Sequence, residues 1–488
     1  MQEKKTFGSS FRSALSWNML NIGVGQVMTL AIFLLLTTRL SPTVFGIFAL
    51  ALVFIEFFNL EGRFSIIDTI VQKQRFDKKS LATVYWVSTA IYGAFAALFV
   101  LLAPMIADLF GYPDITDVLR ALAVTLILIP LMFGPAAVLN ATHDFKALTL
   151  RGIFAKFVGG IVALIVAFGP YPEWALVAQR VLATTAEASL LIYQTRVYPR
   201  LQFDWRWAVE FASEAGRIFM AQTCVKSLLR VLDVAIAGFF GAAAVGLWRI
   251  AERIMQAAFG AFANPISTLW VILLSDKDTS PDDKRRIFLN LTQLGATILV
   301  PVFVGISLIS QNFIDVFVDP DFKAVGPILG LLAAFGSLAP FYYFRNAALI
   351  AMKRTRTLVL LALFDLVLLS ALCWGLQSFG TLGLVSGLGI VYIVSTVLFM
   401  PIILKEVGAG LGALMARVAP AYLAAAAMAV VVLSTAPLFG HLHPMLQIGA
   451  KAGLGALVYA LYLLIVHRRW LSKTVELVRE RNVQVKPA

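Results

Sequence analysis

GRIFMAQTCVKSLLRVLDVAIAGFF (residues 216–240), GAAAVG (241–246) and LWRIAERIMQ (247–256) run consecutively through the middle of the chain. The outer two pieces read as parts of membrane-spanning helices, yet beyond Arg217 at the edge they hold six charges: Lys226, Arg230, Asp233, Arg249, Glu252 and Arg253. A charge at the bilayer centre costs at least ~2.5–3.5 kcal/mol, so a cluster this dense does not face lipid. Lys226, Arg230 and Asp233 fall at i, i+4 and i+7, on one helix face. Arg249, Glu252 and Arg253 fall at i, i+3 and i+4 and also share a face. The spacing predicts two helices lining a wet, net-positive cavity inside a helical bundle. The structural alternative is a set of internal salt bridges through Asp233 and Glu252 that only fixes helix packing. Cations outnumber the local acids, and arginine suits phosphate oxygens, which favours contact with an anionic cargo.

Composition sets the class. Of 488 residues, 60% are hydrophobic and 14% charged, against about 25% charged in soluble domains. The chain is therefore expected to be an all-α, polytopic membrane protein. Apolar windows of about 20 residues mark spans. They fall at 15–38, 43–70, 82–104, 115–138, 152–170, 174–195, 216–240, 243–274, 288–310, 325–352, 357–379, 382–404, 415–437 and 445–467, about fourteen transmembrane helices in all. The net charge of +13 does not mark a nucleic-acid binder, because the cations follow topology and no loop is long enough for a reader domain. Cys224 and Cys373 lie inside apolar segments, which argues against a disulfide framework or a metal pair. The histidines, His143, His441, His443 and His467, lack zinc-ligand spacing. The polar, basic start MQEKKTFGSSFR is not read as a cleavable signal peptide.

Lysine and arginine placement orients the spans. With both termini in the cytoplasm, the inside segments carry clusters such as Lys73, Arg75, Lys78 and Lys79; Arg196, Arg200 and Arg206; and Lys277, Lys284, Arg285 and Arg286. The outside loops carry essentially Arg39 and Lys323, and read DLFGYPD, GPYPEW, FFGAAAVG, VDPDF, LQSFGTLG and LFGHLHP. The chain also repeats. VFGIFALALVFIEF from Val44 aligns without a gap with AVGLWRIAERIMQA from Ala244, matching Gly46 to Gly246 and Ala51 to Ala251. A six-span repeat preserves orientation. The expected organisation is an N-lobe at 1–205, a C-lobe at 206–410, two appended spans at 411–467 and a cytoplasmic tail at 468–488. The lobes differ in chemistry: Ala49 and Leu52 stand where the second copy has Arg249 and Glu252.

Further polar residues fall in or at the edges of spans. Asn18 and Asn21 lie in the first; Glu56, Glu61, Arg63 and Asp68 in the second; Arg180 and Glu187 in the sixth; Arg345 and Asn346 in the tenth; Asp365 in the eleventh. Arg63 and Arg345 join the candidate cargo-binding cations, with snorkelling or local pairing as their rival role. Glu56 and Glu61 join Asp233 and Glu252 as charge partners or ion-coupling sites, and Asp365 and Glu187 are further ion-site candidates. Arg180 and Arg217 read as interfacial or structural. Phe341, Tyr342, Tyr343 and Phe344 read first as packing and second as a sugar-stacking surface. Pro340 and Asn264-Pro265 are placed to kink their helices. The tail reads as a helix on the inner leaflet. Neither a catalytic set nor a Walker sequence is found, and the outside loops are too small for a membrane glycosyltransferase. The reading is a transporter, not an enzyme.

LEGRFSIIDTIVQKQRFDKKSLATVYWVS (60–88) resembles the inner end of span 2 and the start of span 3 in bacterial Wzx-type polysaccharide flippases: an acidic–Gly pair, an apolar turn, a Gln, a basic loop and an aromatic pair, here Tyr85-Trp86. LSPTVFGIFALALVF (40–54) and AVGLWRIAERI (244–254) resemble the opening outside turns of that family's two halves. The resemblance implies the multidrug/oligosaccharidyl-lipid/polysaccharide exporter superfamily: two six-helix lobes in a V around a central cavity, with two further helices beside it. It implies an inner-membrane flippase moving undecaprenyl-diphosphate-linked oligosaccharides to the periplasmic face by alternating access. The products would be exopolysaccharide, capsule or O-antigen. Polymerase and chain-length components would be pathway partners. No metal or organic cofactor is implied, and coupling to H+ or Na+ is left open. The rival readings are a lipid II flippase, a multidrug/cation antiporter and a non-transporting subunit of a synthesis complex. Lipid II flippases usually carry arginines in the first span, where this chain has Asn18 and Asn21. Cationic drugs call for an acidic cavity, where this chain is net cationic.

Overall fold

A computed structural model describes residues 25, 28–142, 145–226, 228–264, 266–267, 281–352, 354–468 and 470. Within these ranges the side chains of Glu61, Arg63, Lys226, Tyr343 and some others fall outside the description. Among the described residues the secondary structure is helical throughout, without a strand. The helices are α1 (Met28–Thr37), α2 (Pro42–Lys73), α3 (Lys78–Phe110), α4 (Ile115–Leu128), α5 (Pro130–Ala141), α6 (Phe145–Ala167), α7 (Ala175–Thr195), α8 (Trp205–Lys226) and α9 (Leu228–Ala258). They continue with α10 (Pro281–Phe317), α11 (Val325–Gly336), α12 (Ala339–Ala351), α13 (Thr355–Leu376), α14 (Gly380–Val407), α15 (Leu411–Thr435) and α16 (Pro444–Val466).

Among the described residues, eight helical stretches are long and apolar enough to cross a bilayer, or up to ten if each bent pair is one span. Two of the stretches are interrupted: Leu228–Ala263 breaks at Gly241, and Arg356–Val407 contains both α13 and α14. Met28–Thr37 and Pro42–Glu56 are shorter apolar helices. The protein is a polytopic all-α membrane protein.

Helix ends follow their caps. Ser41 accepts from the Val44 amide with Pro42 in the first turn, opening α2. Asp77 caps α3 by accepting from the Ser80 amide at 3.0 Å. Asp204 accepts from the Trp207 amide at 3.2 Å, so α8 starts at Trp205, inside the stretch expected to be a loop. That amide bond holds the Asp204 carboxyl below the usual carboxylate range, keeping the cap charged at neutral pH. The predicted kink at Pro340 takes the form of a full break between α11 and α12 just before it. Pro265 lies outside the described residues, but a π-helical turn, Phe259–Ala263, precedes it.

The chain forms two compact units, Met1–Arg249 and Ile250–Ala488. The first unit holds α8 and the first arm of α9. In that unit α2 packs on α4, α5 and α8, and α6 packs on α7. In the second, α10 is the centre, with α11, α15 and α16 against it. Polar bonds fasten the last two helices. Arg417 donates to Asn290 at 3.0 Å and Gln293 at 2.8 Å, Tyr459 to the Thr297 carbonyl at 3.0 Å, and Lys451 to Asn312 at 2.6 Å. In lipid, where apolar contact alone does not drive association, such bonds keep helices together.

The repeat has a physical counterpart. A β-carbon on Gly46 would overlap the Ala242 carbonyl, and one on Gly246 would overlap the Pro42 carbonyl. Gly46 and Gly246 are the aligned residues, and Pro42 and Ala242 stand in the same register. The contact is therefore reciprocal: each copy puts its glycine on the other copy's backbone, the close approach that small residues give membrane helices. Gly246→Leu is expected to cost about 1–3 kcal/mol through overpacking, read as earlier thermal unfolding in detergent. Gly238→Leu, on the same helix with open space around it, should unfold like the parent.

Candidate functional site

Gly241 builds the site. Its φ of 81° and ψ of −177° lie outside helical space and favour glycine. The Ala242 amide donates to the Tyr112 hydroxyl at 3.3 Å, which seats the turn. The turn lays the two arms of α9 side by side, so residues 16 positions apart meet: Arg249 Nη2 donates to Asp233 Oδ2 at 2.7 Å. Trp248, fully buried, donates its indole N–H to Asp233 Oδ1 at 2.9 Å. Arg230 Nη1 lies 3.5 Å from Asp233 Oδ2, and its Nη2 donates to Glu56 Oε2 of α2 at 2.9 Å. Arg180 of α7 reaches Glu56 Oε1 at 3.6 Å.

The result is three arginines, from α7 and both arms of α9, around two carboxylates. Asp233 is wholly buried, while the three arginine side chains keep 17–31% of their surface exposed. Asp233 is enclosed, while Glu56 keeps 14% of its side-chain surface exposed, close to the values for Arg230 and Arg249. Nε of Arg180 and Nη1 of Arg230 are buried and lack a hydrogen-bond acceptor among the described residues. A net-positive cluster with unfilled N–H donors suits the oxygens of a phosphate or carboxylate.

The predicted site residues divide. Arg230, Arg249, Asp233 and Glu56 come together. Lys226, Arg63 and Glu61 lie outside the described side chains. Arg253 and Glu252 belong to the second unit, where Gln256 donates to Glu252 at 2.7 Å. The described hydrogen bond of Arg249 runs to Asp233, across the turn, one of the two acids named as possible salt-bridge partners. Arg345, also in the second unit, is buried and bonds to Asp365 at 3.2 Å and to Ser395. Tyr342 packs on Tyr392 with the rings tilted and Phe341 stacks on Tyr422, so both aromatics pack against the protein. Glu187 is bonded to Arg151 of α6 at 3.2 Å. Two site residues escape the sequence reading. Arg180 reads there as structural, and Trp248 has no distinguishing mark beyond its place beside Arg249. Among the described residues no group of three or more His, Cys, Asp or Glu could hold a metal ion.

Paired charges buried within a polytopic helical bundle define an intramembrane ionic site of the kind found in transporters. The fold agrees. The solved structure of the lipid II flippase MurJ in an inward closed conformation superposes with a TM-score of 0.73 at 15% identity, covering 96% of this chain and 99% of that one. The chain belongs to the polysaccharide biosynthesis protein family, whose model matches residues 35–325. It is 24% identical to the succinoglycan biosynthesis transport protein ExoT of Rhizobium meliloti, over 93% of this chain and 92% of that protein. It is 23% identical to the lipopolysaccharide biosynthesis protein WzxC of Escherichia coli, over 83% of this chain and 82% of that protein.

Proposed function

We propose that the chain is a flippase carrying an undecaprenyl-diphosphate-linked oligosaccharide from the cytoplasmic to the periplasmic face of the bacterial inner membrane, for exopolysaccharide, capsule or O-antigen synthesis. One observation carries the reading: among the described residues of the cluster, Arg180, Arg230 and Arg249 outnumber Glu56 and Asp233. The succinoglycan and lipopolysaccharide roles in the relatives' names support a saccharide cargo. A diphosphate brings negative charge into the membrane, and guanidinium groups match its oxygens in bidentate fashion. In the empty state Glu56 and Asp233 stand in for that anion. Cargo competes with them for the same N–H groups, so its arrival loosens the ion pairs tying α2 to α9 and frees those helices to move. The net-positive cluster disfavours a cationic drug as cargo.

The test uses a strain lacking the chain. A diphosphate-linked oligosaccharide should accumulate on the inner leaflet while surface polymer is lost. The intact gene should reverse this; Arg230→Ala and Arg249→Ala should not, although both insert at normal level. Wild-type export from either variant would remove that arginine from the site. An absence of lipid-linked intermediate, with surface polymer unchanged, would end the flippase reading.

A further inference from the structure

The connector between α7 and α8 presents an apolar, cationic strip. Tyr198, Leu201, Phe203 and Trp205 are exposed, Leu201 by 92% and Trp205 by 73%. Arg196, Arg200 and Arg206 stand exposed among them and make no ion pair among the described residues. The neighbouring acids are engaged: Asp204 lies 3.5 Å from Lys79, and Glu210 accepts from Lys73 at 2.7 Å. The strip is clamped from behind. Trp86 donates to the Arg200 carbonyl at 2.7 Å, the Asp204 amide donates to the Thr83 hydroxyl at 2.8 Å, and Trp207 is buried beneath Arg75. The outward aromatics are thus fixed in place. The strip also continues directly into α7 and α8, at the end of the bundle marked by clustered cations.

Apolar side chains gathered on a held surface mark a contact with something. Tyr and Trp concentrate at headgroup depth, and arginines there attract anionic lipid. Charge and continuity with the membrane helices favour lipid over a protein partner. We infer that the strip lies on the bilayer surface and binds anionic phospholipid headgroups through Arg196, Arg200 and Arg206, with its aromatic side chains among the headgroups. Its seating sets the depth at which α8, and after it Arg230, meets the membrane. This holds whatever cargo the ionic cluster takes.

The experiment places the full chain, carrying Cys224→Ser and Cys373→Ala, in nanodiscs with a rising fraction of phosphatidylglycerol. Nitroxides are attached at Leu201→Cys and, separately, at Tyr198→Cys. Both labels should become shielded from a water-soluble nickel complex and remain accessible to oxygen as phosphatidylglycerol rises. Each of Arg196→Gln, Arg200→Gln and Arg206→Gln should weaken that lipid response about fivefold, as expected of one surface cation. Labels exposed to nickel at every lipid composition overturn the inference. Shielding independent of phosphatidylglycerol overturns the headgroup assignment. Shielding that appears only on adding cytosolic extract assigns the strip to a protein instead.

Discussion

Asp233→Ala is expected to destabilise the protein by about 3–5 kcal/mol, the cost of stripping a buried ion pair of one member. Asp233 is wholly buried, and its partners include Arg249 at 2.7 Å, Trp248 at 2.9 Å and Arg230 at 3.5 Å. Arg230 keeps Glu56 at 2.9 Å when Asp233 is removed. Arg249 loses its short ion pair, and the buried indole N–H of Trp248 loses its acceptor. Asp233→Asn retains an acceptor without the charge and should cost less than Asp233→Ala. Arg249→Met in the Asp233→Ala background should recover part of the loss, because the cation that lost its short ion pair is gone. Thermal unfolding of the four forms in detergent checks the order. Equal unfolding temperatures for parent and Asp233→Ala would show that the buried carboxylate holds nothing together. Export by Asp233→Asn is informative in its own right. If the carboxylate is the internal stand-in for cargo, its neutral form leaves two arginines less restrained and binds pyrophosphate more tightly than the parent.

Most of the architecture is legible along the chain, because in lipid the backbone must satisfy its own hydrogen bonds and a spanning segment must be apolar over its length. That constraint is local. It is written in windows such as those over α3 and α14, in the caps at Ser41 and Asp77, and in the cation-rich inner segments. The ionic cluster is written only in part. Buried charge in an apolar window is conspicuous, so Arg230, Asp233 and Arg249 stand out. Their partners do not: Glu56 and Arg230 are 174 residues apart, and no periodicity joins them. Helical spacing puts Arg249, Glu252 and Arg253 on one face, but it cannot show the hydrogen bond that Arg249 makes to Asp233 across the turn at Gly241. Gly241 itself is visible in the sequence, as the first residue of GAAAVG, but nothing local says how closely the arms will fold together. Gly46 and Gly246 illustrate the converse. Their alignment is a faint sequence signal, and the reciprocal contact with Ala242 and Pro42 explains why both positions lack a side chain.

The second unit contains an ion pair whose removal should be equally costly for a different reason. Arg345→Met is expected to lose about 3–5 kcal/mol, because it leaves Asp365 charged and buried. Arg345 is 2% exposed; its Nη2 bonds to Asp365 Oδ2 at 3.2 Å, its Nη1 to the Ser395 hydroxyl, and its guanidinium stacks on Tyr342 at 4.5 Å. Tyr342 also donates to the same Asp365 oxygen at 3.0 Å. One guanidinium thus joins α12, α13 and α14. Asp365 Oδ1 has no hydrogen-bond partner among the described residues, so without Arg345 the carboxylate keeps only the tyrosine. Asp365→Leu should be damaging for the mirror-image reason, a buried cation left with only neutral acceptors. The double variant Arg345→Met/Asp365→Leu removes both charges and should unfold later than either single variant, since an apolar pair of similar volume often matches or exceeds a buried salt bridge. The same double variant separates the two roles open to Arg345. Stable protein that still exports polymer assigns the residue to holding three helices together. Stable protein that fails to export assigns it to the cargo, alongside Arg230 and Arg249.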